Sequence, residues 1–303
     1  MPSIDDAPAA VRGWFAARAS TEPAAKLREV FAPEILFEFA GRRIQGVPAV
    51  VEHLASMPSD RLGTVEWSVL PGGDDTHVTV RGTGPGGKPL PSPGGPMSAM
   101  DFAFTLRGDG LITRMTPRPH HTEPGDLAQP LQPGDTAPDF SLPDVAGDPV
   151  RLHDADAVAT VVLWTCNPCP WALGWHDRLQ QVARDYADQG VRFLQINAND
   201  PAVSPKDALE DSRKRVAEGQ FAGPYLIDEG QTVARLWGAR HTPDVFVLRR
   251  DGVVTYHGAP DAGVDDASHN ADWLRSALDS VLKGSAPDLT HTKPVGCTIK
   301  WTL

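Results

Sequence analysis

The sequence has little cysteine, few basic residues and no long apolar run. Three cysteines in 303 residues exclude a disulfide-rich scaffold and make any close cysteine pair a candidate for catalysis or metal binding. The excess of 39 Asp and Glu over 28 Lys and Arg, a net charge of −11, argues against nucleic acid or an anionic membrane as a partner. The longest apolar stretch, residues 157–166, is too short to cross a bilayer, and the first residues lack the features of a secretion signal. We therefore expect a cytoplasmic protein with no nucleic-acid or membrane partner.

Glycine and proline are abundant, by contrast, and they mark a division of the chain. The 28 glycines and 29 prolines are concentrated at residues 82–96 and 116–138. A chain of this length is long enough for two domains. The second glycine- and proline-rich stretch is the better boundary, because most of the excess of acidic residues follows it. We predict an N-terminal domain over residues 1–121, a linker over 122–133 and a C-terminal domain over 134–303.

Helical patterns and then strand patterns follow one another in the N-terminal part. Apolar residues have helical spacing in residues 9–19, 23–31 and 47–54, and they alternate with polar residues in 34–39 as in a half-buried strand. Further strands are predicted at residues 62–70, 76–83, 98–106 and 111–116. Helices followed by an antiparallel meander predict an α+β domain.

Two short blocks give this part a family resemblance. Phe31-Ala-Pro-Glu34 leads into an aromatic strand, and Gly41-Arg-Arg-Ile-Gln-Gly46 precedes a helix. Over residues 8–120 the order resembles the nuclear transport factor 2-like superfamily, which includes SnoaL-like polyketide cyclases. The resemblance implies a cone-shaped curved sheet wrapped on helices, often dimeric, with an apolar cavity. The candidate cavity residues are Phe37, Phe39, Trp67, Asp101, Phe102 and Phe104.

Two interpretations of those residues stay open. By analogy with such domains, Asp101 and either His77 or His120 would be an acid and base in the cavity. Alternatively, the aromatic side chains simply form the core of the domain. Adjacent His120 and His121 point apart on an extended chain, so we predict no metal site there.

The second part contains the strongest chemical motif. The apolar, β-branched run Ala159–Trp164 predicts a buried parallel strand, and it stops at Thr165-Cys-Asn-Pro-Cys-Pro170 before a helical pattern that ends at Gly190. A strand that feeds a helix through Cys-x-x-Cys places the first cysteine at a helix N-terminus, where unpaired N–H groups and the helix dipole favour the thiolate. We therefore predict Cys166 as the nucleophile and Cys169, one turn later, as the resolving thiol of a thiol–disulfide exchange.

Two alternatives for the cysteines remain. The pair could be structural core cysteines, although a strand-to-helix junction favours reactivity. Zinc could be held by Cys166, Cys169, Cys297 and a histidine, but no second Cys-x-x-Cys or His-x-His spacing supports it. We predict no metal and no bound cofactor.

Six blocks in order give the C-terminal part its own resemblance. They are Thr165-Cys-Asn-Pro-Cys-Pro, Ile196-Asn-Ala-Asn-Asp, Glu210-Asp-Ser, Pro224-Tyr-Leu-Ile-Asp-Glu, Thr242-Pro-Asp-Val-Phe and Lys293-Pro-Val-Gly-Cys-Thr-Ile-Lys-Trp301. From about Gly134 to Trp301 the chain resembles the thioredoxin-like redoxins of the alkyl hydroperoxide reductase and thiol-specific antioxidant superfamily. This implies an α/β thioredoxin-fold domain in which Pro243 is a cis-proline facing the cysteines. Thr242 would offer its backbone to an extended substrate segment.

The sequence also departs from the family pattern. The Pro-x-x-x-Thr-x-x-Cys motif of peroxiredoxins is missing, and the strand before the cysteines has no acidic residue to accept a proton. Proton transfer is therefore assigned to water or to His241. Cys297, in the family-like tail, is either a second resolving thiol or a buried structural cysteine.

The predicted activity is a thiol–disulfide oxidoreductase acting on a protein or small-molecule disulfide and re-reduced by an external thiol. A thiol peroxidase is one alternative. Another is that the N-terminal domain is an isomerase, cyclase, hydratase or ligand-binding module regulated by the redoxin, and a third is an inert redoxin that only binds. The N-terminal domain would recruit substrate, hold a small ligand or form a homodimer.

Overall fold

In a computed structural model, the chain forms two compact units. The N-terminal unit ends at Thr122 and the C-terminal unit begins at Glu123. The structure describes residues 2–39, 42–56, 65–90 and 97–302. Residues 62–64 of one predicted strand and 91–96 of the glycine- and proline-rich stretch therefore lie outside the described residues. None of the helices in these ranges has the length and apolar character needed to cross a bilayer.

The N-terminal unit has the predicted order of helices and strands. Its helices are α1 (Ala9–Arg18), α2 (Pro23–Val30) and α3 (Val47–Ser56). Its strands are β1 (Phe31–Phe39), β2 (Arg42–Gln45), β3 (Glu66–Val69), β4 (His77–Thr83), β5 (Met97–Leu106) and β6 (Ile112–His121). They form a six-stranded sheet in the order β2-β1-β6-β5-β4-β3. The meander is antiparallel as predicted, but β6 returns to lie parallel to β1, a long-range pairing that no local pattern encodes.

The aromatic residues predicted to line a cavity form the core of this unit. Trp14 of α1 lies 4.9 Å from Phe102 and 5.6 Å from Phe104, measured between ring centroids. Trp67 packs on Phe15 at 4.6 Å. Phe37 is buried and belongs to the same cluster, against which Phe39 packs. The packing therefore favours the core interpretation for these aromatic side chains.

The C-terminal unit is built on a mixed sheet, with two parallel and two antiparallel pairings, and contains four α-helices in its described residues. Its helices are α4 (Pro170–Ala187), α5 (Leu209–Ala217), α6 (Thr232–Trp237) and α7 (Asp272–Leu282). Its strands are β7 (Ser141–Pro143), β8 (Pro149–Arg151), β9 (Ala159–Trp164), β10 (Val191–Asn197), β11 (Tyr225–Ile227), β12 (His241–Thr242), β13 (Asp244–Arg249), β14 (Val254–Gly258) and β15 (Cys297–Thr298). The central sheet has the order β11-β10-β9-β13-β14. The sequence predictions did not include five short strands in the described part of the chain, of two to four residues each: β2, β7, β11, β12 and β15.

Strand β9 lies at the centre of this sheet, and every one of its six residues is buried. It pairs in parallel with β10 and antiparallel with β13, so its backbone is hydrogen-bonded on both sides. An apolar run with β-branched residues suits such a position. The strand thus provides a rigid base, and the cysteine loop starts directly at its carboxyl end.

The segment predicted as a linker is part of the C-terminal unit. Backbone N–H groups of Ala128 and Leu131 donate to the carbonyl oxygens of Arg235 and Trp237, at 3.0 and 3.1 Å. The side chains of Leu127 and Leu131 pack against the core. Proline and glycine indicated a boundary here, but these leucines fix most of the segment to the second unit.

Candidate functional site

The two cysteines of the motif lie where β9 ends and α4 begins. Cys166 and Cys169 are both free and are each about 2 % exposed. The helix begins at Pro170, and Cys169 is its N-cap: the Cys169 sulfur accepts a hydrogen bond from the Ala172 N–H at 3.5 Å. The prediction that Cys166 occupies the helix N-terminus is therefore wrong by three residues. Proline is favoured in the first helical position because it has no N–H to leave unpaired, which sets the helix start after Cys169.

This placement determines which sulfur is the more acidic. Interactions from the Cys166 and Cys297 thiols, together with the Ala172 N–H, lower the pKa of Cys169. The interaction with Cys169, and then burial, raise the pKa of Cys166. The pKa shifts of the two sulfurs are therefore opposite, and the helix N-cap lowers the pKa of Cys169 rather than that of Cys166, the reverse of the predicted order.

Thr242 faces both cysteines from the opposite side. The Cys166 sulfur lies 3.3 Å from the Thr242 hydroxyl, and the Cys169 thiol donates to the Thr242 carbonyl oxygen at 2.9 Å. The Thr242–Pro243 peptide bond is cis, as the family resemblance implies. The structure thus brings Cys166, Cys169, Thr242 and Pro243 together.

The backbone edge at Thr242 is nevertheless already paired. β15 runs antiparallel to β12, with Thr242 opposite Cys297 and His241 opposite Thr298. The prediction that Thr242 offers a free edge to a substrate strand therefore does not hold for this arrangement, because the chain's own tail occupies that edge. The position of Cys297 follows from the same pairing, and this thiol is the most exposed of the three.

His241 does not take part in the arrangement around the sulfurs. Successive side chains of a strand point to opposite faces, so a strand that turns Thr242 toward the cysteines turns His241 away. Within the described part of the chain, no hydrogen bond joins its ring to a cysteine. Burial lowers the pKa of His241, which keeps the ring neutral, and the proton-transfer role predicted for it has no geometric support.

Asn167, between the cysteines, is fixed through its backbone N–H and both polar atoms of its side-chain amide. Its backbone N–H donates to Asp207 at 2.7 Å, and its amide nitrogen donates to the Ser212 hydroxyl at 2.9 Å and the Lys206 carbonyl at 3.0 Å. Its amide oxygen accepts from Arg215 and from the Tyr225 hydroxyl, both at 3.1 Å. A fully satisfied buried amide holds one conformation, so the loop that spaces the two sulfurs is rigid.

Asp207 is the functional candidate that the sequence analysis missed. It is about 4 % exposed, and besides Asn167 it accepts hydrogen bonds from Asn197, Asn199 and Ser204 at 2.6–3.1 Å. Its charge contributes to the raised pKa of Cys166. The strand below the cysteines has no acid, but the chain supplies a buried carboxylate from a 3-10 helix, Pro205–Asp207, forty residues later. The only sequence signal was its position between two of the family-like blocks.

The polar candidates of the N-terminal unit lie apart from its aromatic core. Asp101 alternates with Phe102 on β5 and therefore points to the opposite face of the sheet. There it accepts two hydrogen bonds from Arg81, both at 2.7 Å, and it lies 2.8 Å from the His120 ring. His77 pairs instead with Asp74 on the surface. Asp101 and His120 do meet, but they do not share a cavity with the aromatic residues.

The three cysteines do not form a metal centre. Across the described residues, no group of three or more His, Cys, Asp or Glu side chains has an arrangement that could hold a metal ion. The arrangement suits sulfur chemistry instead: two buried thiols at a helix N-terminus, a third thiol beside them, and hydrogen-bonding groups that fix their positions.

Comparisons with known proteins agree with this geometry. Residues 133–257 match the AhpC/TSA family. Two solved structures are 37 % identical to this chain: an uncharacterized conserved protein from Geobacillus kaustophilus, with a TM-score of 0.51, and a hypothetical protein from Sinorhizobium meliloti 1021, with a TM-score of 0.53. The matches cover 56 % and 58 % of this chain and 92 % and 98 % of those chains, respectively.

A curated relative has a functional name. The thiol-disulfide oxidoreductase ResA of Geobacillus thermodenitrificans is 28 % identical over 124 residues, 40 % of this chain and 66 % of that protein. The chain spans 65–66 % of the length of the first ResA proteins that it matches. The family match begins at residue 133, so the nuclear transport factor 2-like nature of the N-terminal unit stays a prediction.

The sheet order of the second unit, its cysteine junction and its sequence match lead to one assignment. Residues 133–257 form a thioredoxin-like redoxin domain that matches the AhpC/TSA family.

Proposed function

We propose that this protein is a thiol–disulfide oxidoreductase whose Cys166 and Cys169 exchange a disulfide with a protein or small-molecule substrate. The observation that carries the proposal is the geometry of the cysteine pair. The sulfurs of Cys166 and Cys169 each form a hydrogen bond with Thr242, and the Cys169 sulfur caps helix α4. Similarity to proteins named thiol-disulfide oxidoreductase supports the same activity.

Two successive exchanges at sulfur complete the proposed reaction. The Cys166 sulfur attacks a substrate disulfide, and its proton passes to the substrate sulfur that departs. A mixed disulfide forms on Cys166, and one substrate thiol leaves. The Cys169 sulfur then attacks the Cys166 sulfur, and its proton passes to the second substrate sulfur as that sulfur departs. The substrate disulfide is reduced to two thiols, and the protein gains a Cys166–Cys169 disulfide.

The rigid loop around Asn167 supports this order of events. It holds the two sulfurs at a fixed separation, so resolution requires little rearrangement. An external thiol reductant returns the pair to the dithiol state, and these sulfur steps require no bound cofactor. A cytoplasmic location would suit a thiol reductant and stays a prediction.

For the N-terminal unit, we propose a nuclear transport factor 2-like domain. The support is its architecture: three helices and a six-stranded sheet enclose an aromatic core, with β6 parallel to β1. A homodimer formed by this unit stays a prediction.

Substrate trapping tests the proposed activity. Cys169→Ser should accumulate a mixed disulfide on Cys166, because the resolving sulfur is absent. The measurement is mass spectrometry of the trapped species after non-reducing purification, with Cys166→Ser as the matched control that should trap nothing there. Combining Cys169→Ser with Cys297→Ser prevents the third thiol from resolving the adduct.

Two outcomes would contradict the proposal. The first is that neither Cys169 variant retains a partner on Cys166. The second is that the wild type consumes hydrogen peroxide at a rate that depends on Cys166 while the traps stay empty, which would favour the thiol peroxidase instead.

A further inference from the structure

The C-terminal tail pairs with the redox site as a short strand. Thr242 lies directly opposite Cys297 in the antiparallel pair β12–β15. Side chains directly opposite each other in such a pair lie on the same face, about 4.5–5.5 Å apart between Cβ atoms. Since the Thr242 side chain faces Cys166, the Cys297 side chain is also on the face that carries the active sulfurs.

Residues after Cys297 anchor the tail in this position. Ile299 and Trp301 are buried in the core of the C-terminal unit. The Lys300 N–H donates to the Asn199 side chain at 2.8 Å, and the Lys300 carbonyl accepts from the Asp200 N–H at 2.9 Å. The tail is therefore built into the fold, and the position of Cys297 is as well defined as that of the helix N-terminus.

Gly296 allows the tail to approach this closely. A Cβ atom at residue 296 would lie 2.2 Å from the carbonyl oxygen of Thr242, far inside van der Waals contact. The same oxygen accepts the hydrogen bond from the Cys169 thiol. A side chain here would have to displace the tail from the site.

Thr242 is thus the common neighbour of all three cysteines. Its hydroxyl contacts Cys166, its carbonyl oxygen contacts Cys169, and its backbone is paired with Cys297. The thiol and backbone N–H of Cys297 also interact with the Cys169 sulfur. Cys169 is therefore the central sulfur, with Cys166 on one side and Cys297 on the other.

We propose that Cys297 is the third member of a disulfide relay, which moves the disulfide from Cys166–Cys169 to Cys169–Cys297. The inference rests on the proposed thiol–disulfide exchange and adds its exit step. The Cys297 sulfur attacks the Cys169 sulfur, the Cys166–Cys169 bond breaks, and the Cys169–Cys297 bond forms. The proton of Cys297 passes to the departing Cys166 sulfur, so no electrons are gained or lost in the transfer.

The exposure of the three residues gives the relay a direction. Cys166 and Cys169 are each about 2 % exposed, whereas Cys297 is partly exposed. After the transfer, one sulfur of the disulfide belongs to the most exposed of the three cysteines, so a thiol reductant has easier access to it, and Cys166 is again a thiol. Substrate and reductant would then use different sulfurs.

Disulfide mapping in the full-length protein tests the relay. Reduced wild type, Cys166→Ser and Cys297→Ser are oxidised with one equivalent of diamide, alkylated with N-ethylmaleimide, digested and analysed without reduction. We expect a Cys169–Cys297 cross-link in Cys166→Ser and a Cys166–Cys169 cross-link in Cys297→Ser. The wild type should contain both, and the peptides with the Cys169–Cys297 bond should coexist with alkylated Cys166.

A glycine pair provides a matched control. In the Cys166→Ser background, Gly296→Ala should cause loss of the Cys169–Cys297 cross-link. Gly263→Ala should retain it, because a Cβ at residue 263 meets no atom closer than 3.8 Å. Circular dichroism of both variants checks that the fold is kept.

The results that would refute the relay differ from those that would refute the proposed exchange activity. If Cys166→Ser keeps two alkylated thiols, or the wild type lacks the Cys169–Cys297 bond, while Cys297→Ser still forms Cys166–Cys169, the relay is wrong and the exchange activity stands. If Cys297→Ser forms no disulfide either, the exchange activity itself is refuted. Equal cross-linking in the two folded glycine variants would contradict the docking of the tail.

Discussion

The two units of this protein differ most in what they bury besides apolar side chains. Both have aromatic cores. Among the described residues, however, the buried polar or charged side chains are two in the N-terminal unit, Arg18 and Asp101, and nineteen in the C-terminal unit. Burying a polar group costs free energy unless the group is hydrogen-bonded. The larger number of buried polar side chains therefore shows that the C-terminal unit holds more polar groups in fixed positions.

Many of the buried polar groups of the C-terminal unit are hydrogen-bonded to one another in connected sets. One set surrounds Asp207 and Asn167 below the cysteines, and another surrounds Asp261, which accepts from Trp175 and Arg178 at 2.7 and 2.6 Å. In the N-terminal unit, the nearest equivalent is Asp101, whose partner Arg81 is one-third exposed. Apolar patterning alone would not have distinguished the units, because both cores follow the same rule.

The largest effect is expected from breaking the buried ion pair of the C-terminal unit. Arg178→Ala leaves the Asp261 carboxylate, which is completely buried, without its cation and should destabilise folding by about 3–5 kcal/mol. The matched change in the other unit, Arg81→Ala, should cost about 1 kcal/mol, because its pair is partly exposed. Hydrogen exchange in increasing urea, measured peptide by peptide, assigns each loss to its unit. Losses of equal size would show that the two units do not differ in this way.

A smaller difference in stability and exchange rate is expected between variants of the two buried carboxylates, Asp207 of the C-terminal unit and Asp101 of the N-terminal unit. Asp207→Asn replaces an acceptor that four groups share, so it should destabilise the C-terminal unit by about 1–3 kcal/mol. It should also slow exchange of the cysteine pair with a small disulfide, because one of the two carboxylate oxygens that anchor the cysteine loop and its neighbours becomes an NH2 group, which cannot accept a hydrogen bond. Asp101→Asn should leave that rate unchanged. A slowed rate in Asp101→Asn, or an unchanged rate in Asp207→Asn, would contradict the assignment of the chemistry to the C-terminal unit.

The smallest expected effect concerns the difference in pKa between Cys166 and Cys169. Because the pKa of Cys169 is lowered and that of Cys166 raised, the reduced protein should keep one thiolate as the pH falls below the ordinary thiol pKa of about 8.5. Any stability that Cys169 contributes is present above that value and is lost as the pH falls through its lowered pKa.

Ultraviolet absorbance of the thiolate, followed during a pH titration, measures this directly. Cys169→Ser should lose the thiolate at neutral pH, whereas Cys166→Ser should retain part of it, because the Ala172 N–H and Cys297 still act on Cys169. The opposite result would restore Cys166 as the more acidic sulfur.

The sequence was informative where the decisive interactions are local. The run from Ala159 to Trp164 predicted the central strand with the bounds that the structure shows, because burial on both faces requires apolar, β-branched residues throughout. Helix α1, with its apolar stripe, was placed within one residue. The cysteine pair was recognisable for the same reason, since its spacing and position are contained in six consecutive residues.

The sequence was less informative where distant segments meet. The stretch from Asp261 to Asp272 is rich in acidic residues, a composition typical of an exposed loop, yet Asp261 is buried against α4 because its charge is neutralised by Arg178, 83 positions earlier. The helix start was misplaced by three residues for a different reason. Cap geometry depends on backbone angles that the motif alone does not specify.

By itself, the sequence determined the longer helices and strands, the division into two parts and the position of the cysteine motif, since periodicity and motif spacing act over a few residues. The tertiary structure alone decided which sulfur is the more acidic, which carboxylate lies beneath the pair and where Cys297 is placed. The groups responsible come from segments far apart in the chain, as Asp207 and Thr242 do, and their effect on a thiol depends on distances of a few ångströms that only folding sets.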